Sequence, residues 1–361
     1  MRTTRHLRAD ALIGLLTLVL LASLSVPGGA AGAQGPRLAP AGDTEAPFRF
    51  FSPTSIWNRA VPADAATDPG SGAIMAAFET EVAREVAART GPWLDTTAYS
   101  VPIYRVPADQ ATVAVALTAP SPGLRAAFAA VPLPADARPA AGSDGHLVVW
   151  QPATDRLWEF WRLAKGPAGW SASWGGAMDD VQGSTGVYGP SSYPGATRWW
   201  GASASSLSVA GGLITLEDLE DGVIDHALAI SVPHVRAGVF ASPARRTDGT
   251  SPSPDSLPEG AHLRLDPDLD LTSLHLPRLT LLIARAAQRY GIVVRDGSPN
   301  VASFYAQDPT PTGTDPFHGP GGWLEGEYPS QLLASFPWDH LELLRMGLHH
   351  VPRAGHDHEH G

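Results

Sequence analysis

The stretch Arg156-Leu157-Trp158-Glu159-Phe160-Trp161-Arg162-Leu163 alternates like a β-strand, with Leu157, Glu159 and Trp161 on one side and Trp158, Phe160 and Arg162 on the other. Both sides carry large apolar groups, the pattern of a strand covered on both faces rather than one half in water. Working outward, short apolar runs broken by Pro and Gly recur along the chain and predict further strands. They are Val101 to Val106, Thr112 to Leu117, His146 to Trp150, Trp170 to Trp174, Ile224 to Val232, Gly238 to Phe240, Ala261 to Leu265, Ile292 to Val294 and Val301 to Tyr305. This spacing suits a β-dominated domain, sandwich or jelly-roll-like, with a few peripheral helices.

Three helices are predicted. Ile74, Phe78, Val82 and Val86 recur near helical spacing, and Leu279, Leu282, Ile283, Ala286 and Tyr290 share a face that stops at Gly291. Pro337 can open a third from Trp338 to Met346. The acidic run Glu217 to Asp221 predicts a short helix or turn. No repeat and no shift of composition marks an internal boundary, so residues 47–347 are expected to form one domain.

The ends differ in kind. Arg2, Arg5 and Arg8 precede an uncharged run, Ala11 to Val26, and Ala31-Gly-Ala33 follows, the layout of a signal peptide over residues 1–33. Sixteen apolar residues fall short of the roughly 20 a spanning helix needs, so the mature chain is expected to be exported and not embedded in a membrane. Residues 34–46, rich in Pro, Gly and Ala, are expected to be a flexible lead-in. Residues 348–361 read as a disordered tail holding five of the thirteen histidines, too loosely arranged for a structural metal site.

The chain carries a formal charge of −11, and loss of the leader's three arginines and one aspartate takes it to −13. Such an acidic surface has no footprint for nucleic acid or anionic lipid. The absence of cysteine removes thiolate chemistry and Cys-based zinc sites. No His-x-x-x-His spacing occurs before the tail, and neither metal nor cofactor is expected.

Seven of the eleven tryptophans lie between Trp150 and Trp200, a concentration expected of either a core or an aromatic cleft. Within it, a loop of about 18 residues after Asp180 holds Tyr188 and Tyr193 and ends at Trp199-Trp200; loops longer than about 12 to 15 residues are uncommon without a function. Aromatic faces beside carboxylates grip sugars, since the ring stacks on the C–H face of a pyranose while acids bind its hydroxyls. Trp161, Trp174, Tyr188, Trp199 and Trp200 are therefore candidate glycan contacts, and for Trp158, Trp170 and Trp174 a core role is the equal alternative. Glu159, among apolar neighbours, is a candidate general acid or else a member of a structural ion pair. His226, expected on a strand with Leu228, Ile230 and Val232, is a candidate proton shuttle or a satisfied core histidine.

The succession Asp144-Gly-His-Leu-Val-Val149, Leu157-Trp-Glu159, Trp170 with Ala177-Met-Asp-Asp180, Gly212-Leu-Ile, Gly222-Val-Ile-Asp-His-Ala-Leu228, Gly260-Ala-His-Leu-Arg-Leu265 and Gln288-Arg-Tyr-Gly-Ile-Val-Val-Arg-Asp296 resembles a family of exported proteins common in actinobacteria. Its block reads Gly-x-Ile-x-His-Ala-Leu, then a Gly-x-x-x-Arg-Leu strand, then a helix ending in Tyr-Gly. The resemblance, which runs from Asp144 to Asp296, implies export and a shared β-rich domain and implies no reaction. By position it points to Glu159, Asp180, His226, Arg264, Tyr290 and Asp296. Two departures stand out: Ser203 where that family has an aspartate, and Asp266 where it has a lysine.

Three functions remain open on the sequence. The first is a secreted glycoside hydrolase acting on an extracellular polysaccharide or cell-wall glycan, with Glu159 as proton donor and Asp180 as base or nucleophile. Its close variant is a polysaccharide lyase in which His226 or Tyr290 removes a proton and Arg264 neutralises a uronate. The second is a non-catalytic glycan- or wall-binding protein built on the same tryptophans. The third is a structural exported domain whose aromatic block is core.

Overall fold

A six-stranded sheet organises the domain, and its two faces have different fates. From edge to edge it runs Trp93–Asp95, Ser303–Tyr305, Leu228–Pro233, Ile292–Ser298, His262–Leu265 and Leu341–Leu343. Leu94, Phe304, Ile230 and Val294 point to one side, into an apolar cluster shared with the helices Ser71–Ala88 and Arg278–Arg289. Tyr305, Ala229 and Val293, one residue out of phase, point to the other side and join a second cluster. The computed structural model describes residues 49–351.

That second cluster belongs chiefly to a five-stranded sheet in the order Gln307–Asp308, Val101–Arg105, Leu147–Gln151, Arg156–Trp161 and Trp174–Asp179. Arg156–Trp161 sits inside this sheet, and Leu157, Trp158, Glu159 and Phe160 are all buried, as the two-sided apolar pattern requires. The irregular stretch 200–214 links the two sheets through Gly201 N–H to Gly175 O at one end and Ile214 N–H to Tyr305 O at the other. Three-stranded and two-stranded sheets complete the β-structure, the first formed by Val115–Leu117, Gly169–Ala172 and Ala164–Gly166. The fold is β-dominated with helices at the periphery. Its pairing is mixed: five of the strand pairs are parallel, where a jelly roll uses antiparallel ladders.

The two longer helices follow their sequence patterns. Arg278–Arg289 buries Leu279, Leu282, Ile283, Ala286 and Ala287; after its cap at Tyr290 comes Gly291, whose φ of 84° and close approach to His262 and Leu263 leave no room for a Cβ. Ser71–Ala88 buries Ile74, Met75, Phe78 and Val82 and, through Glu85, accepts the Ala302 N–H beside the sheet. Burial lifts the Glu85 carboxyl to about 7, against the pull of that N–H. Among the described residues, no helix is long and apolar enough to cross a membrane.

Four local expectations are corrected. Trp338–His340 is a single 3-10 turn, and Leu341–Leu343 pairs with His262–Leu265 as an edge strand instead of continuing a helix to Met346. Trp170 and Trp174 do not share a strand, because the chain breaks at Ser173 and the two enter different sheets. His226 precedes its strand, which begins at Leu228. Leu348–His350 pairs with Val239–Ala241, His349 stacking on Phe240 at 5.2 Å and bonding Ser242 at 2.7 Å, so the expected tail begins as structure. The leader 1–33, the lead-in 34–46 and the remaining tail histidines lie outside the described residues. The described residues fall within one compact unit.

Candidate functional site

The face of the six-stranded sheet that carries Tyr305, opposite to Leu94 and Phe304, also supplies the floor of a cleft of about 720 Å³. Register builds this floor. Trp93 is opposite Ser303, Ser303 opposite Ser231, and Ser231 opposite Asp296, which makes one row across four strands; two residues along, Asp95 is opposite Tyr305. All six residues line the cleft. The period-2 rule that sends Leu94 and Phe304 into the core sends their neighbours here.

A β-bulge sets the floor's far end. Val294 pairs with Ile230 and Asp296 with Ser231, which leaves Arg295 as the inserted residue. An insertion of this kind re-aims side chains next to it. Arg295 is buried, donates from Nη1 to Val209 O (2.8 Å) and Gly211 O (3.1 Å), and places its guanidinium 3.9 Å from the centre of the Tyr305 ring. Asp296 then opens into the cleft, accepting from the N–H groups of Ala204 and Gly297. Burial and the Asp248 charge raise Asp296 to about 7, with Arg295 opposing.

The walls are aromatic. Trp161 and Trp174 face each other as register partners at one end of the five-stranded sheet. Trp161 Nε1 donates to Asp144 Oδ1 at 3.2 Å, and Trp174 Nε1 to Trp199 O at 2.8 Å. Trp199 (47% exposed), Trp93 and Tyr99 form the rim, with the Arg198 guanidinium 4.4 Å above the Trp199 ring. Asp144 and His146 join Asp95 in the lining. Burial, with Asp144 adding to it and Arg295 opposing, raises Asp95 to about 7. Burial also lowers His146 to about 4, so its imidazole is neutral at pH 7.

The sequence candidates separate on this geometry. Trp161, Trp174 and Trp199 line the cleft, and so does Asp296. Trp200 and Tyr188 are wholly buried in the core and present nothing to a ligand. Glu159 is a correction: it is fully buried, and its carboxylate accepts from Ala202 N (2.7 Å), Ser208 Oγ (2.6 Å) and Val209 N (3.1 Å), which makes it a clamp for the loop behind the cleft. Gly176 is opposite Glu159, so Asp180, four residues further on in an exposed turn, is about 13 Å away along the strand and cannot share a glycosidic bond with it. Arg264 is buried and committed to Glu342 (2.9 Å) and Pro62 O (3.1 Å). Tyr290 is buried, with its hydroxyl on Asp225, outside the cleft.

His226 is also elsewhere, in an ion pair. Its Nε2 lies 3.0 Å from Asp218 Oδ2 and its Nδ1 2.8 Å from Ala227 O, so both ring nitrogens face acceptors. Asp218 also closes a capping box with Thr215 at the start of the helix Leu216–Asp221. Burial alone would lower His226, but the Asp218 charge and the two hydrogen bonds outweigh it and the net shift is upward from 6.5. Burial likewise would raise Asp218, and His226 with Thr215 brings it below 3.8. The histidine's contribution is complete below 6.5 and fades as pH climbs through its raised value; the aspartate's is complete above 3.8 and fades as pH falls through its lowered one. The pair therefore stabilises most between 3.8 and 6.5. His226→Ala is expected to cost about 2 kcal/mol near pH 5.5, with a smaller deficit at pH 9 in urea titrations. An equal deficit at both pH values would refute the charged pair.

Comparisons with protein-family models, curated proteins and solved structures return no match. The site thus rests on its own geometry. Asp95, Asp144 and His146 were not legible as site residues, although Asp144-Gly-His146 opens the series of segments that carries the resemblance. Ser203, one of the two departures from the resembling family, lines the cleft; Asp266, the other, does not.

Proposed function

We propose that this protein is an exported glycoside hydrolase that takes a neutral polysaccharide, such as a cell-wall glycan, into the indole-lined cleft. One observation carries the reading. Four indoles, Trp93, Trp161, Trp174 and Trp199, surround a cleft whose interior holds the electrostatically linked acids Asp95 and Asp144. Its volume of about 720 Å³ falls in the range of pockets that enclose small ligands. Export rests on the leader pattern of residues 1–33. The acid lining and the negative net charge favour a neutral chain over a uronate polymer.

In this reading Asp95 is the proton donor. Its O–H proton passes to the glycosidic oxygen as the bond from that oxygen to the anomeric carbon breaks. Water adds its hydroxyl to the carbon and gives its remaining proton to Asp144, held in place by the Trp161 indole N–H. Neutral His146 and Tyr305 supply polar contacts without charge.

A panel of plant, fungal and bacterial wall polysaccharides, scored both for pull-down and for new reducing ends, tests the proposal. At least one polymer is expected to be retained and shortened. Trp199→Ala is expected to weaken retention by about 10-fold or more, since a stacked aromatic platform is worth roughly 1–3 kcal/mol. The serine at position 203 favours a second reading, a cleft that holds glycan without cutting it; retention with no reducing ends would select it. No retention of any polymer would remove both.

A further inference from the structure

At the far end of the cleft, three carboxylates from distant parts of the chain meet. Asp248 comes from the segment after Val239–Ala241, Glu259 from the approach to His262–Leu265, and Asp296 from the bulged strand; one oxygen of each lies within 4.8 Å of the others. Their exposure is graded. Asp248 is exposed, Asp296 half-buried and Glu259 wholly buried, while Asp248 and Asp296 both line the cleft. This layout offers a path inward.

Glu259 is buried without a partner. It has no accessible surface, and neither Oε1 nor Oε2 makes a well-formed hydrogen bond; the Thr247 hydroxyl and the Asp248 carboxyl are its polar neighbours. A carboxylate taken out of water without a partner is strongly unfavourable, so this group calls for a proton or a cation. Arg246 is electrostatically linked to all three acids, and it is already engaged with Ser206 Oγ (2.8 Å), Gly201 O (3.1 Å) and Ser203 O (2.6 Å). Arg295, the other guanidinium acting on Asp296, is likewise committed, to Val209 O and Gly211 O, and two guanidiniums do not balance three acids.

We propose that Asp248, Glu259 and Asp296 hold a divalent cation of the Ca²⁺ type. All three donors are hard oxygens, which select alkaline-earth ions over the softer transition metals. Ca²⁺ takes oxygens at about 2.3–2.6 Å, so ligands on opposite sides of it stand up to about 5 Å apart, a span that admits the whole 4.8 Å limit. Mg²⁺, at about 2.0–2.1 Å, would need the three drawn tighter. The cation would tie the segment carrying Arg246, Thr247 and Asp248 to the bulged strand and so fix one end of the cleft. The spacing patterns of sequence motifs do not reveal it, because its three ligands are far apart in the chain.

The test needs no glycan, so its failure is separate from failure of the glycan-cleaving reading. Chelator-treated full-length protein is titrated calorimetrically with CaCl₂ at pH 7.5, and its thermal midpoint is followed with and without Ca²⁺ and, in parallel, Mg²⁺. Saturable Ca²⁺ binding with a raised midpoint is expected, with Mg²⁺ weaker. Asp248→Asn, on the exposed ligand, is expected to fold normally and to lose at least about 10-fold in Ca²⁺ affinity. Glu259→Gln is expected to lose it too. Absence of binding heat and midpoint shift at 10 mM Ca²⁺ would overturn the proposal, as would affinity unchanged in Asp248→Asn. A Glu259→Gln protein that is more stable than the parent, beside a parent that binds no Ca²⁺, would identify a proton shared between Glu259 and Asp248 in its place.

Discussion

Asp95→Asn is expected to leave glycan bound and uncut. Asparagine keeps the size of the side chain and much of its hydrogen bonding, but has no acidic proton to give to a departing sugar oxygen. General acid catalysis contributes about 10²- to 10⁴-fold, so release of reducing ends should fall by at least about 100-fold while retention of polymer changes little. The position explains the choice. Asp95 is 7% exposed, on the cleft floor beside Tyr305, and burial raises its carboxyl to about 7, so a substantial fraction still carries its proton at neutral pH. The sign for activity follows directly: the donor is lost as pH rises through about 7, so the rate should decline on that alkaline limb, and the limb should vanish in whatever residual activity Asp95→Asn retains. Stability should hold or rise, because a neutral amide avoids the ionisation that burial opposes. Full activity in the variant, or parallel loss of retention and cutting, would remove Asp95 from the donor role.

The same residue shows why the site was only partly legible in the sequence. Asp95 ends a three-residue strand, too short for periodicity, and becomes a floor residue only through parallel pairing with Tyr305, more than two hundred positions away. Trp161, Trp174 and Trp199 were legible because indoles concentrated among glycines signal a cleft or a core by composition alone, and composition cannot choose between the two for Trp200 or Tyr188. Secondary structure was clearest where one period dominates, as in Arg156–Trp161 and Arg278–Arg289. It failed near Trp338, where Leu341-Glu-Leu343 fits either period and pairing with Leu263–Leu265 decides for strand. The bulge at Arg295 left no trace in the pattern, yet it places a guanidinium under Tyr305 and turns Asp296 toward the cleft.

Glu159→Ala is expected to destabilise the domain by about 3–5 kcal/mol, the range for removing a buried polar side chain on which several groups depend. Three donors lose their acceptor at once: the Ala202 and Val209 N–H groups and the Ser208 hydroxyl. They bracket the stretch 202–209, which turns the back of the cleft toward the core, so their release loosens the wall formed by Ala202, Ser203 and Ala204. Glu159→Gln is the sharper probe. An amide has one acceptor oxygen where the carboxylate has two, so its NH₂ must face a donor on one side, and a loss of about 1–3 kcal/mol is expected. The pH dependence carries a sign. Burial raises the Glu159 carboxyl above its usual 4.5, opposed by the three donors and by Arg295, so the parent protein gives up stability as pH climbs from 4.5 through the raised value. The glutamine variant has no such titration, and its deficit should narrow as pH rises. Urea titrations at several pH values measure both effects. A Glu159→Gln protein as stable as the parent but unable to cut glycan would restore Glu159 as the acid, and the three hydrogen bonds that hold it would then need another purpose.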